Sequence, residues 1–287
     1  MSDLHHEKHF EGYVVDQLTA RGWMRGDTAG YDMDYALYPE DLEGWVRDTQ
    51  PDKWDRLVAM NGADARKTLM GRLDKALNRN GTIQVLRRGF DIAGLGHSDL
   101  SESAPEDKRN EKVLHRYASN RLRVVPQLKY HPGRELAIDL GLFLNGLPLA
   151  TVELKTDFTQ NAESAKDQYR ADRLPEDPRT KRKHPLLTFK RGAVVHFAMS
   201  DSEIWMTTKL AGVDTFFLPL NRGYEGHGGN PPRADGEYPI AYFWEEICQP
   251  DAFLRIFHSF VYVEKKDVVD LRGGRGISDQ LLSSGFN

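Results

Sequence analysis

The chain has 287 residues, 39% of them hydrophobic and 29% charged, with a net charge of −4; this balance excludes a disordered polymer and leaves room for a sizeable core. Cys248 is the only cysteine, which excludes an internal disulfide or a cysteine-built zinc site, and nucleic-acid contact has to come from a local basic patch. No run of about 18 apolar residues offers a membrane span, and the charged start "MSDLHHEKHFEG" lacks a signal-peptide core, so the expectation is a cytoplasmic protein without a membrane partner.

In chain order, an apolar stripe of Phe10, Val14, Val15 and Leu18 predicts a helix over 4–21, and Ala65, Leu69, Leu73 and Leu77 predict another over 63–77. Strands are expected at 83–88, 121–128, 136–144 and 148–155, followed by a helix over 162–173. Further strands are expected at 193–199, 203–208 and 214–219, with a last helix over 250–262. After Lys266 the sequence turns polar and Gly-rich and reads as a linker. The layout is α/β, with a central mixed sheet flanked by helices. "NRGYEGHGGNPP" (221–232) reads as a connector, and no segment matches a phosphate-binding P-loop.

The most informative stretch is "IDLGLFLNGLPLATVELK" (138–155), two apolar strands around Asn145-Gly146, a strong hairpin signal. Glu153 and Lys155, two apart on a strand, point to one face. A strict two-residue turn would pair Asp139 with residue 152 and send Asp139 and Glu153 to opposite faces. A three-residue loop (145–147) or a bulge pairs 139 with 153 and brings the carboxylates together. Two carboxylates beside a lysine suit a hard cation such as Mg²⁺; solvated strand ends paired with Lys155 or Arg134 are the plain alternative. The segment "RTKRKHPLLTFKR" (179–191) is the one concentrated basic run; Lys181, Arg182, Lys183, Lys190 and Arg191 are its candidate contacts to a duplex backbone, a solvated loop being the other reading. His6-Glu7-x-His9 is one residue too short for the H-E-x-x-H zinc motif.

The Asp139/Glu153/Lys155 pattern resembles the PD-(D/E)xK nuclease motif. Together with "QYRADR", "KRGAVVHFAMSDSEIWMTTKLAG", "TFFLPLNRG", "GHGGNPP", "EDLEGWVRDTQPDKWDRL" and "GTIQVLRRGF", the long hairpin segment resembles the N-terminal nuclease region of type I restriction endonuclease R subunits over nearly the whole chain. The resemblance implies a restriction-endonuclease-like core and Mg²⁺-dependent hydrolysis of double-stranded DNA. In that reading Asp139 and Glu153 are metal ligands and Lys155 is the catalytic lysine. It also implies a supporting glutamine on the next helix, for which Gln168 is the match. Tyr169, directly adjacent to it, breaks the family's Q-x-x-x-Y spacing. An acidic residue from the first helix is expected near the metal; Glu7 and Glu11 share a face, and Glu11, beside Phe10 and Val14, is favoured.

The implied domain is 1–265, its catalytic core about 110–220 plus the first helix, with 266–287 a linker toward a translocase motor not present in this chain. ATP would then be used only by full-length members, and modification and specificity subunits would be partners. The alternative is a non-catalytic docking module for DNA or those subunits; a small-molecule phosphohydrolase is disfavoured for want of a phosphate-cradling loop.

Overall fold

A computed structural model describes the backbone of residues 3–105, 109–157, 160–269 and 275–283, and side chains from 6 to 263 within those ranges. Seven strands form one mixed sheet. They are β1 (Met24–Arg25), β4 (Leu122–Lys129), β5 (Ala137–Leu144), β6 (Leu147–Leu154), β7 (Val195–Met199), β8 (Ile204–Thr207) and β9 (Leu218–Pro219), adjacent in that order. The β1–β4 and β6–β7 pairs are parallel and the other four antiparallel. A parallel β6–β7 pair demands a crossover, and helix α7 (Ala162–Ala171) supplies it. Asn161 starts that helix, its side chain accepting from the N–H groups of Glu163 and Ser164 at 3.0 and 3.3 Å.

The two faces of the sheet are covered by different helices. Helix α1 (Asp3–Thr19) buries Phe10, Val14, Val15 and Leu18 in one apolar cluster with Leu140, Leu142, Val152 and Leu154. Helix α7 buries Ala165 and Tyr169 in a second cluster with Ile138, Phe143 and Ala198. The expected α/β class with a mixed sheet flanked by helices, the architecture of a restriction-endonuclease-like core, therefore holds. No described helix is long and apolar enough to cross a membrane.

Several elements differ from the sequence expectation. Residues 83–88 are not a strand: helix α5 (Thr82–Arg88) occupies them, bracketed by Gly81 (φ 82°) and Gly89 (φ 64°). Thr82, Ile83, Val85 and Leu86 are buried, a helical spacing hidden in a window too short to separate from a β-branched strand. The segment from 25 to 62, left unassigned by pattern, contains helices α2 (Pro39–Thr49) and α3 (Pro51–Asn61), each opened by proline at its first position; α4 (Ala65–Asn80) follows. A short hairpin, β2 (Phe90–Ile92) with β3 (Gly96–Ser98), and helix α6 (Glu111–Ala118) lead into β4. Of the strand expected at 214–219 only Leu218–Pro219 pairs.

The last helix is shorter than expected. Helix α8 spans Pro250–Arg255, widens to a π-helical turn over Ile256–Phe260, and gives way to β10 (Val261–Val269), which pairs with β11 (Arg275–Ser283). The stretch read as a linker, 266–287, thus contributes paired backbone at 266–269 and 275–283; its other residues lie outside the described ones.

Candidate active site

The β5–β6 hairpin decides whether the acidic residues meet. Its turn is two residues long, Asn145 (φ 49°) and Gly146 (φ 85°), both left-handed as a type I′ turn requires. A side chain at Gly146 would also collide, since its Cβ would lie 2.6 Å from the Tyr38 carbonyl oxygen. The three-residue loop offered by sequence is therefore absent, and the bulge does its work. Leu144 pairs with Leu147 and Phe143 with Pro148, but Leu142 pairs with Ala150, leaving Leu149 as an extra residue on β6. Pro148 has no N–H to give the ladder, which breaks it at this point. The carbonyl of Leu149 accepts instead from Val194 N–H at 2.9 Å, at the start of β7.

Beyond the bulge the register runs Gly141↔Thr151 and Leu140↔Val152. Continued by one residue it sets Asp139 opposite Glu153, on the same face. The Asp139 carboxylate also spans the strand gap: its Oδ2 accepts from the Leu154 N–H at 2.7 Å.

Glu153 is fully buried. Its Oε1 accepts from Arg173 Nε at 2.5 Å, while Oε2 is buried without a partner among the described residues. Burial, reinforced by the neighbouring Asp139 carboxylate and opposed by Arg173, pushes the Glu153 carboxyl up to about 8. Lys155, just past the end of β6, is anchored by its N–H to the Met199 carbonyl at 2.9 Å and by Nζ to Glu7 Oε1 at 3.3 Å.

Helix α1 brings two acids, as its i, i+4 spacing predicts. Glu7 meets Lys155, and Glu11 accepts a hydrogen bond from Gln127 Nε2, which also lies 3.5 Å from Asp139 Oδ1. Burial, with Asp139 adding to it against the Gln127 bond, raises Glu11 to about 6. Gln127 adopts φ 48° within β4, a left-handed residue inside a strand, where side-chain sterics oppose it.

Asp139, Glu153, Lys155 and Glu11 thus lie in one neighbourhood, together with Glu7, Gln127 and Arg173. Glu7 was legible in the helical spacing. Pro126 hinted that the strand is irregular beside Gln127. Nothing local announced Arg173, two residues past the end of α7.

Gln168 is partly exposed, and no hydrogen bond from its side chain to a described residue occurs; its carbonyl accepts from the Asp172 and Arg173 N–H groups at 2.9 and 3.3 Å. Tyr169 is fully buried, with its hydroxyl 2.8 Å from Thr151 Oγ1, and serves the core.

The basic run divides. Lys181, Arg182 and Lys183 are exposed on a loop closed by the Glu176↔Lys183 bridge, with Arg182 2.6 Å from Asp34 Oδ1. Lys190 is left-handed (φ 67°) and partly buried, and its carbonyl accepts from Thr82 N–H at 2.6 Å. Arg191, grouped with them by sequence, points inward. It is buried, and its Nη2 donates to Asp74 Oδ1 and the Tyr35 carbonyl, both at 2.6 Å.

A family model described as the type I restriction enzyme R protein N terminus matches residues 30–214, well over half of the chain. The chain belongs to this family. The matched span of the R-protein N terminus includes Asp139, Glu153, Lys155 and Gln168 but begins after α1, so Glu7 and Glu11 lie outside it. A search of curated proteins returned no significant match.

Proposed function

We propose that this chain is the Mg²⁺-dependent, DNA-cleaving part of a type I restriction enzyme R protein. The observation that carries the reading is the bulged hairpin, which sets Asp139 opposite Glu153, whose Oε2 is buried with no partner among the described residues. A buried carboxylate oxygen without a donor is costly unless something fills its coordination. The donor set is all oxygen, from Asp139, Glu153 and, within reach through Gln127, Glu11, which suits Mg²⁺ over softer metals. When bound, such an ion acidifies a coordinated water and offsets charge on a phosphoryl oxygen.

The chain's own groups have separate tasks. Asp139 and Glu153 would hold the ion, with Arg173 fixing the Glu153 carboxyl group from behind. Lys155, its ammonium steered by Glu7, would orient the nucleophile or the scissile phosphate. Lys181, Arg182, Lys183 and Lys190 would bind duplex phosphates, which gives affinity without sequence choice. Choice of sequence would come from a specificity subunit in a complex that also contains modification subunits, and ATP use from a motor in longer members.

Nicking of supercoiled plasmid with Mg²⁺ tests this. Asp139→Ala, Glu153→Ala and Lys155→Ala should each abolish cleavage by the wild-type chain; where the isolated chain is inactive, the comparison is made in the assembled complex with ATP. Cleavage by these variants at the wild-type rate in that complex would instead favour a docking module.

A further inference from the structure

A second group of ligating side chains lies outside the carboxylate site. His131 follows β4 in the turn toward β5, and Asp177 and His184 flank the loop that carries Lys181, Arg182 and Lys183. One ligand atom from each of the three lies within 4.8 Å of the other two, and Asp177 and His184 are buried. We propose that His131, Asp177 and His184 form a transition-metal site of the Zn²⁺ class that staples the base of the basic loop to the sheet.

The donor chemistry favours this ion over Mg²⁺. Two imidazoles and one carboxylate are the ligand types Zn²⁺ takes, with a water in the fourth position, whereas Mg²⁺ prefers oxygen throughout. The spacing is close to what is needed. Donors about 2.1 Å from a tetrahedral ion stand roughly 3.4 Å apart. His131 Nε2 and Asp177 Oδ2 are already 3.1 Å apart, and the two imidazole centroids are 5.0 Å apart.

Neighbouring groups orient the cluster. Asp177 Oδ1 accepts the N–H groups of Arg179 and Thr180 at 2.9 and 2.7 Å, which orients the carboxylate and leaves Oδ2 toward His131. His131 Nδ1 is buried with no partner among the described residues, so the hydrogen bond to Asp177 does not exhaust that ring. Tyr130 packs edge-on to His184 at 5.4 Å, and its hydroxyl donates to the Asp172 carbonyl at 2.9 Å, which ties the cluster to the end of α7 next to Arg173.

The test is to titrate the metal-stripped chain with Co²⁺ and to read the visible absorption of a four-coordinate site, with Zn²⁺ displacing it. Wild type should bind one equivalent with such bands. His131→Gln and His184→Gln should each weaken binding roughly tenfold or more, with circular dichroism unchanged. Asp139→Ala and Glu153→Ala should retain the bands, which separates this site from the nuclease reading. Absence of bands in folded wild type, their survival in both histidine variants, or their loss in the carboxylate variants would overturn the proposal. If the histidine variants fail to fold, Asp177→Asn supplies the same comparison, since its amide oxygen can still accept the Arg179 and Thr180 N–H groups.

Discussion

The Glu153 carboxyl group and the Arg173 guanidinium meet at 2.5 Å inside the protein, both almost fully shielded from water, and one Glu153 oxygen has no partner among the described residues. The arrangement ties the segment just after the crossover helix to the strand that bears the acidic residue. It also holds the buried carboxyl group in one orientation.

Cation binding should strengthen with pH. Glu153 sits near 8 and Glu11 near 6, both raised above the ordinary glutamate value mainly by burial. Between about 5 and 8 a divalent ion must displace a proton from Glu153, so affinity rises with pH and levels off above about 8. The same linkage acts on folding. A raised carboxyl pKa means the folded state holds the extra proton, so stability without cation falls as pH increases through this window. Urea midpoints in chelator should therefore decline from pH 5 to 8 for wild type and decline less for Glu153→Gln, in which Glu11 near 6 still contributes. A flat wild-type curve would contradict it.

Arg173→Met should cost about 1–3 kcal/mol, because it leaves a buried carboxyl group without its hydrogen-bond partner. Adding Glu153→Gln to that variant should change the loss by an amount different from its own separate effect, as the two side chains share one hydrogen bond. Simple additivity of the two substitutions in denaturant unfolding would show that the pair is not coupled.

Gln127 offers a backbone test. Glycine adopts φ 48° freely and alanine does not, so Gln127→Gly should be more stable than Gln127→Ala by about 1 kcal/mol, although neither can bond Glu11. Equal unfolding midpoints would mean the left-handed conformation is not kept once the side chain is removed.

The basic run should split by role. Replacing Lys181, Arg182 and Lys183 with alanine should reduce the salt slope of DNA binding by about 0.9 for each phosphate no longer neutralised. Arg191→Ala should leave that slope unchanged and cost about 2–3 kcal/mol of stability through removal of its pair with Asp74. Filter binding across a salt series, together with thermal unfolding, distinguishes the two.

Local pattern was a good guide wherever a periodic apolar stripe was long. Helix α1, helix α7 and the strands β4 to β8 lie close to their expected bounds, because each buries a continuous face. It failed at Thr82–Arg88, where seven residues with two β-branched apolar side chains look alike as strand or helix until the rest of the core surrounds them. It also grouped Arg191 with the exposed cations, since charge in a sequence does not reveal which way a side chain turns.

By itself the sequence determined the alternation of strands and helices, the hairpin at Asn145-Gly146, and the placing of Glu153 and Lys155 on one face, all consequences of chemistry within a few residues. Whether Asp139 joins them depended on Leu149 being left out of the β5–β6 ladder, next to Pro148, while its carbonyl accepts from Val194 on the β7 side. Only tertiary structure could bring Arg173, Gln127 and Glu7 to the same place, because bonds between residues 20 to 148 positions apart form only when the chain packs as a whole.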